Sequence, residues 1–383
     1  MTGDGDRSRV DGDGAPGDGA PGDGALGDDA LADDTLAFRR YLRAKRAVDD
    51  RALDRRLLGI FRERLADGAA ASEEPLRVLE VGAGIGTMIA RLIDWDVLPP
   101  GETRYVAVDR DAGTLAGLEP FLRAWAADRE GSVVVSDADG SADGDALVVE
   151  TDARTVRVEP VAADAVAYAA ERASEWDALI GMALLDVLDL DGLGSLLDAL
   201  APGGTYYFPI TFDGGTRFRP SHPADRAIER RYHAHMDAKP GGSSRAGGDA
   251  VERLREIERA SLLGVAGSDW VVRPVEGRDR RSAPDSRYPD DEAFFLRHIL
   301  GTVEAAVGEV IDGSVGESPE DGGMNSEDDG GNPENSDVDP TAALDDWLDS
   351  RRRQVDAGEL VYLTHQLDLL GRVDPERERA SSA

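Results

Sequence analysis

The chain has 383 residues, a formal net charge of −34 at pH 7 and no cysteine. This length allows one large α/β domain with insertions, or two small domains. The lack of cysteine excludes disulfides, thiolate metal sites and cysteine nucleophiles. No apolar run reaches the roughly 18 residues of a membrane span, and the N-terminus lacks a signal-peptide pattern. We therefore expect a soluble, cytoplasmic protein without a membrane partner.

Much of the negative charge lies in two low-complexity segments. Residues 1–34 carry ten aspartates against two arginines, and residues 312–340 carry ten acids and no base. Both contain too little apolar surface to order, so we predict a disordered acidic tail at 1–34 and a disordered acidic loop at 312–340. The remainder is acidic too, which resembles halophilic proteins. We find no basic stripe with interleaved aromatics, so we do not expect a nucleic-acid partner.

The first predicted elements are helices, followed by a strand that ends in a glycine turn. Within residues 35–75, apolar positions at helical spacing predict one or two helices. Residues 76–81 form an apolar strand, Gly82, Gly84 and Gly86 a tight turn, and residues 88–93 the start of a helix. Because glycines tolerate positive φ and lack Cβ, such a turn lets a ligand approach backbone N–H groups.

Strands and helices then alternate as in a βαβ series. We predict a strand at 105–108 ending in Asp109, a helix at 114–127, and a small β excursion at 133–135 and 147–149. A third core strand follows at 156–163, ending in Asp164. The series continues with a helix at 165–174, a strand at 176–182, a helix at 193–200 and a strand at 205–212.

The last third departs from this alternation. Residues 213–248 are predicted to be a substrate-side insertion with a helix at 223–236, followed by helices at 250–263 and 292–310 and a strand at 270–275. A helix at 341–355 precedes a final strand within 359–370, which we expect to pair antiparallel with 270–275. The predicted fold class is therefore α/β, a seven-stranded doubly wound sheet, mostly parallel with an antiparallel C-terminal strand.

Two acids stand where such a sheet binds ligands, at the carboxyl ends of its strands. Asp109 lies 23 residues after Gly86, where its carboxylate can accept two hydrogen bonds from a ribose diol. Asp164 ends the third core strand, where it could accept from an adenine amine. In this acid-rich chain, the alternative for each is a surface charge that only keeps the protein hydrated.

The pattern of Glu80, Gly82, Gly84 and Gly86 resembles the first motif of class I S-adenosylmethionine (SAM) dependent methyltransferases, and the downstream series resembles the family's later motifs over about 76–212. The resemblance implies a Rossmann-like methyltransferase fold at 76–311 and 341–370, with SAM as the cofactor. It further implies these contacts: Glu80, Gly82, Ala83, Gly84 and Gly86 around the methionine part, Asp109 and Arg110 at the ribose, Asp164 and Ala165 at the adenine, and Met182 and Ala183 beside the sulfonium.

The chemistry of the methyl acceptor must be sought on the substrate side, in the insertion. His233 and Asp237 on its helix are the candidate general base, with Tyr232 and His235 nearby. The alternative is that these side chains are solvated or packed without a catalytic role. His233 and His235 are two residues apart and point in different directions on a helix, so we predict no metal site.

The acceptor is expected to be a small molecule. No Asn-Pro-Pro-Tyr type motif, which many nucleic-acid amino methyltransferases carry, follows the fourth strand, and residues 184–186 look more like small-molecule methyltransferases. Two other readings stay open: a SAM-binding protein without catalysis, and a methyltransferase acting on protein or RNA. A nicotinamide-dependent oxidoreductase is disfavoured, because its fingerprint has the spacing G-x-G-x-x-G.

Overall fold

A computed structural model describes residues 28–138, 146–239, 243–275, 287–313 and 339–374. Most of the predicted acidic tail and acidic loop therefore lies outside the described residues. One boundary of the tail is wrong, because residues 28–34 already belong to the first helix. Likewise, the last residue of the predicted loop, Pro340, begins a helix that Asp339 caps.

The described residues form eleven α-helices, named here in chain order: α1 Asp28–Ala52, α2 Arg55–Ala70, α3 Thr87–Asp94, α4 Ala112–Leu115, α5 Leu118–Ala127, α6 Ala165–Ala170, α7 Leu193–Asp198, α8 Asp225–Ala238, α9 Ala246–Glu256, α10 Glu292–Ile311 and α11 Pro340–Ala357. The helix predicted at 114–127 is in fact two helices, α4 and α5. They are separated at Gly117, where an added Cβ would lie 2.8 Å from the Ile85 side chain.

The described strands number ten and form one sheet: β1 Leu76–Val81, β2 Gly101–Asp109, β3 Val133–Asp137, β4 Leu147–Thr151, β5 Arg154–Ala162, β6 Trp176–Ile180, β7 Leu200–Arg219, β8 Ala260–Gly267, β9 Trp270–Val272 and β10 Val361–Val373. Their order is β3-β4-β5-β2-β1-β6-β7-β10-β8, with β9 also paired to β10. The pairs joining β5, β2, β1, β6 and β7 are parallel, and β10 is antiparallel to β7.

The predicted fold class is confirmed: a mixed α/β sheet has a parallel core and an antiparallel C-terminal strand. The strand number was wrong, ten instead of seven in the described residues, because β3, β4 and β8 extend the sheet at its edges. Side chains of β1 alternate between two apolar layers, with Val78 in one and Leu79 in the other. Helices cover both faces, as expected for a buried parallel sheet.

The strands β7 and β10 are long and pair with each other, and they form most of the sheet beyond β6. The predicted strand at 205–212 extends to Arg219, so residues 213–219 of the predicted insertion belong to β7. The pairing of β10 with β9 confirms the expected partner of 270–275. The helix predicted at 250–263 ends at Glu256, and Ala260–Gly267 pairs with β10 as β8. Long-range pairing has overridden the local helical pattern there.

The N-terminal helices pack against the sheet on the α3 side. Phe61 of α2 is fully buried, and its ring centroid lies 5.2 Å from that of Tyr207 on β7. Tyr41 of α1 stacks on Phe295 of α10, with ring centroids 5.6 Å apart. Within the described part of the chain, no helix is long and apolar enough to cross a membrane.

Candidate functional site

The glycine turn between β1 and α3 adopts the predicted conformation. Gly82, Gly84 and Gly86 have φ of 70°, 56° and 80°. These values favour glycine, and a Cβ at Gly84 would also come within 3.1 Å of Leu42. The turn is therefore a place where side chains are excluded and backbone N–H groups can meet a ligand.

Asp109 lies at the end of β2, against this turn. Its Oδ2 accepts a hydrogen bond of 2.8 Å from the Gly84 amide, and its Oδ1 accepts one of 2.9 Å from the Asp111 amide. A carboxylate has about four acceptor positions, so each oxygen keeps capacity for one more donor. Such a carboxylate can take both hydroxyls of a diol.

Glu80 is a buried carboxyl below the turn, 2% exposed. Its Oε2 accepts a hydrogen bond of 2.8 Å from the Tyr105 hydroxyl. Burial raises the pKa of Glu80 from 4.5 to about 8, while the hydrogen bond from Tyr105 and the charge of Arg91 act in the opposite direction. A cationic group bound beside Glu80 would offset this cost of burial.

Asp164 has a structural role that the sequence did not separate from a ligand role. It is the N-cap of α6, and its Oδ1 accepts a hydrogen bond of 2.9 Å from the Ala167 amide. The side chain is exposed at the rim of the cavity, as is that of Arg110 after β2. Each could still contact a ligand from the rim.

Met182 and Ala183 follow β6 at the point where the predicted methyl-donor end would lie. The Ala183 amide donates to the Pro209 carbonyl at 2.9 Å, and Ala183 itself has a φ of 50°. The Met182 Sδ lies 3.3 Å from Nη1 of Arg91, a guanidinium that is fully buried. This contact fixes the thioether, and Asp50 holds Arg91 from the other side at 2.5 Å.

One cavity of about 1210 Å³ collects most of the predicted cofactor residues. All of them except Gly86 line it: Glu80, Gly82, Ala83, Gly84, Asp109, Arg110, Asp164, Ala165, Met182 and Ala183. Gly86 lies instead at the N-cap of α3. The volume exceeds the upper end of the range for single-ligand pockets, about 300–1,000 Å³. The cavity is therefore large enough for two small ligands.

The second end of the cavity, here called the aromatic chamber, is enclosed by α1, α8, α10 and the β7–β10 pair. Its rings are those of Tyr41, Phe212, Tyr232, Trp270 and Tyr362. Of the two N-terminal helices, α1 lines the cavity directly.

A buried ion pair joins the wall of the chamber to β9. Lys45 and Asp49 are 7% and 2% exposed, and the Lys45 Nζ donates to both Asp49 oxygens at 2.9 and 2.8 Å. The Trp270 indole N–H donates to Asp49 Oδ1 at 3.0 Å. The carboxylate thereby has three hydrogen bonds, which compensate its burial.

The predicted catalytic pair does not reach the cavity. His233 and Asp237 point to a neighbouring face of α8, and Asp237 accepts hydrogen bonds from the Ser244 amide and hydroxyl. The residues of this helix that line the cavity are Tyr232, His235 and Met236, with Lys239 just beyond its end. Their spacing of three and four residues marks one helix face, and this signal could have identified His235 from the sequence.

His235 is 9% exposed, and its Nε2 lies 2.9 Å from Glu309 of α10. Other cavity residues that sequence reasoning did not select are Asp186 and Gln366. Among the residues that the structure describes, no group of three or more histidines and acids could hold a metal ion.

The residues present fit SAM on observations from this structure. The glycine turn excludes side chains, the Asp109 carboxylate has free acceptor capacity, and the buried Glu80 carboxyl gains from a neighbouring cation such as the SAM ammonium. These three features line the same cavity.

No protein-family model matches the chain, and no relative was found among curated proteins. Several of the similar solved structures are described as methyltransferases. A Bacillus halodurans protein, whose assignment as a methyltransferase is unproven, is 11% identical, with 83% of this chain and 98% of that chain covered and a TM-score of 0.39.

Two others were solved with the cofactor or its product. A SAM-dependent methyltransferase from Geobacter sulfurreducens, in complex with S-adenosylhomocysteine (SAH), is 11% identical, with 85% and 92% covered and a TM-score of 0.34. Phosphoethanolamine N-methyltransferase 2 from Haemonchus contortus, in complex with SAM, is 12% identical, with 82% and 52% covered and a TM-score of 0.31. These likenesses are weak and do not define an activity for this chain.

Proposed function

We propose that this chain is a SAM-dependent methyltransferase that acts on a small molecule. The observation that carries the proposal is the single cavity, in which the glycine turn, Glu80 and Asp109 at one end are continuous with the aromatic chamber at the other. When bound, SAM supplies a methyl group made electrophilic by the positive sulfonium.

In this proposal the residues of the chain bind SAM and the methyl acceptor and orient them for transfer. The turn at Gly82, Gly84 and Gly86 and the carboxyl of Glu80 hold the methionine part, Asp109 with Arg110 takes the ribose, and Asp164 with Ala165 borders the adenine. Met182 and Ala183 line the passage to the chamber. Holding both reactants in one enclosed site supplies much of the rate of a methyl transfer, because attack then becomes intramolecular in effect.

The lining of the same cavity also indicates which segments of the chain bind SAM and which enclose the acceptor. We propose that 76–311 and 341–370 form the SAM-binding unit, while the N-terminal helices in 35–75 and the segment 213–248 wall the acceptor end. Tyr41 of α1 and Tyr232 of α8 both contribute to that wall, which supports this assignment.

The presence of Met182 and the aromatic chamber in one cavity favours catalysis over SAM binding alone. A non-catalytic SAM-binding protein would not need a second chamber next to the methyl-donor end. Here Met182 lines the same cavity as Tyr41 and Tyr232. The chamber therefore has a use in transfer that cofactor binding does not explain.

The test is transfer of an isotopically labelled methyl group from SAM into a cell extract separated by size. We expect the purified protein to label a compound in the small-molecule fraction, identified by mass spectrometry. Label confined to protein or RNA would contradict the small-molecule acceptor. SAM binding without any transfer would support the non-catalytic alternative. A protein with Asp109→Ala is the matched control, since it should lose labelling in every fraction.

A further inference from the structure

In the described part of the chain, the buried side-chain polar atoms of the cavity wall that lack a hydrogen bond are all oxygens. Among the buried side-chain atoms without a hydrogen bond in the described residues, three belong to the cavity wall: Asp186 Oδ1, Thr216 Oγ1 and Gln366 Oε1. The carboxylate and amide oxygens can only accept hydrogen bonds, and the threonine hydroxyl can do so too. A ligand that satisfies this set must bring donors.

Two of the three acceptors lie on the paired strands β7 and β10. Gln366, 2% exposed, follows Tyr362 and Thr364 at intervals of two along β10, so the three side chains share one face of the strand. Its Nε2 donates to the Thr364 hydroxyl at 2.9 Å, and this bond leaves the amide oxygen free. Thr216 lies directly opposite Thr364 on β7.

Asp186 stands after β6, on the side of the tyrosines. Its charge acts on the hydroxyls of both Tyr41 and Tyr232, which places the carboxylate within electrostatic reach of two aromatic rings. Rings beside a carboxylate form a favourable setting for a compact cation. Burial raises the pKa of Asp186, while a hydrogen bond from its own amide and the charges of Lys45 and Lys239 act in the opposite direction. A cation bound closer to the carboxylate would offset the remaining cost of burial.

Two other acids of the cavity wall, Asp49 and Glu309, are already paired. Both oxygens of Asp49 accept from Lys45, and Glu309 pairs with His235 at 2.9 Å. A bound hydrogen-bond donor would therefore interact most favourably with Asp186 and Gln366, because one side-chain oxygen of each residue has no donor.

We propose that the aromatic chamber binds the methyl acceptor as a small amine, whose N–H groups donate to Asp186 and Gln366. This deepens the proposed function and rests on it. An amine meets all the observations together: it supplies donors, its cationic form complements the carboxylate, and its apolar substituents contact the rings. Transfer of one proton from the bound ammonium to the Asp186 carboxylate would free the nitrogen lone pair that attacks the methyl group of SAM, leaving SAH and the methylated ammonium. A carboxylate ligand would instead place its own acceptor oxygens beside those of Asp186 and Gln366.

The test compares three probes of similar shape: benzylamine, benzyl alcohol and benzoate. Each is titrated by calorimetry into the SAH-saturated protein and into the protein alone. We expect benzylamine to bind at least about tenfold more tightly than either of the others, since its hydrogen bonds are charge-assisted. Binding of benzoate as tight as that of benzylamine would overturn the proposal.

Variants of Asp186 and Gln366 test whether these two residues bind the amine group of benzylamine. Asp186→Asn keeps the shape and removes the charge, so benzylamine affinity should fall about tenfold or more while SAH affinity stays within about twofold. Gln366→Glu adds a carboxylate at the second acceptor and should strengthen benzylamine binding, a gain that misfolding cannot produce. Asp189→Asn is the matched control, because Asp189 lines the same cavity with an exposed side chain.

The outcomes separate the two proposals. If SAH does not bind but benzylamine does, and Asp186→Asn weakens it, the cofactor assignment fails and the amine site stands. If SAH binds while benzylamine affinity is unchanged in both Asp186→Asn and Gln366→Glu, the amine site is refuted and the cofactor assignment stands.

Discussion

The carboxylate of Asp109 accepts a hydrogen bond of 2.8 Å from the backbone amide of Gly84, so the end of β2 is tied to the glycine turn after β1. The parallel register, which pairs Val81 with Val108, brings these two segments together. A residue whose remaining lone pairs face the cavity thus also holds the turn in place. The cofactor end of the site is organised around this contact.

Replacing Gly84 by valine should abolish SAH binding. The φ of 56° disfavours a β-branched residue, and the new Cβ would lie 3.1 Å from Leu42. We expect a loss of stability of about 1–3 kcal/mol in chemical denaturation and no binding in calorimetry. Gly59→Ala in α2, where an added Cβ meets no atom within 4 Å, is the control and should bind normally. Normal binding by Gly84→Val would show that the turn does not approach the ligand.

Glu80 should make the ligand-free protein less stable as pH rises. Because the pKa of Glu80 is about 8 in the folded chain against an ordinary 4.5, the folded state holds a proton that the unfolded state has released across this interval. The free energy of unfolding should therefore fall between about pH 5 and pH 8, by up to about 5 kcal/mol from this group.

The measurement is urea denaturation at several pH values for the wild type and Glu80→Gln. The glutamine cannot titrate, so its curve should decline less steeply, and the difference between the two curves isolates Glu80 from other buried acids. Glu150→Gln, at an exposed position on β4, controls for the loss of one charge. Parallel curves for wild type and Glu80→Gln would refute the raised pKa.

Breaking the buried pair of Lys45 and Asp49 should be costly. Asp49→Ala leaves the Lys45 ammonium buried and the Trp270 N–H without its acceptor, so we expect a loss of about 3–5 kcal/mol in unfolding free energy. The double variant Lys45→Met, Asp49→Leu should recover much of it. Arg40→Ala, in an ion pair whose side chains are 57% and 45% exposed, should cost less than about 1 kcal/mol. Equal losses of unfolding free energy in Asp49→Ala and Arg40→Ala would show that burial does not set the cost of breaking the pair.

Asp164 can be tested for its two roles separately. Asp164→Ala removes the cap of α6 and should cost about 1 kcal/mol of stability. Asp164→Ser keeps a capping oxygen without the charge, so stability should return while SAH binding remains weakened if the carboxylate borders the adenine. Full SAH affinity in the serine variant would leave Asp164 a capping residue only.

That the glycine turn and Asp109 lie together could be predicted from the sequence because the signals are local. Gly82, Gly84 and Gly86 follow an apolar strand directly, and Asp109 ends the next strand along the chain. Parallel strands bring their carboxyl ends to one edge, so sequence order alone places these residues side by side.

The acceptor end depends on contacts that span the chain. Asp186 and Gln366 are 180 positions apart in the numbering and line one cavity only because β10 returns beside β7. For α8, the sequence indicated the helix but not its buried face, so His233 was selected although His235 lines the cavity. The helix predicted at 250–263 failed for a related reason, since pairing of β8 with β10 decides the structure there.

The central claim is most directly tested by titrating SAH into the wild type, Asp109→Ala and Asp137→Ala. Asp137 is also an acid at the end of a strand, but it lies outside the cavity. We predict that the wild type and Asp137→Ala bind SAH with equal affinity and that Asp109→Ala binds at least about tenfold more weakly, a loss of at least about 1.4 kcal/mol. Absence of SAH binding by the wild type, or equal binding by all three proteins, would contradict the assignment of this cavity to SAM.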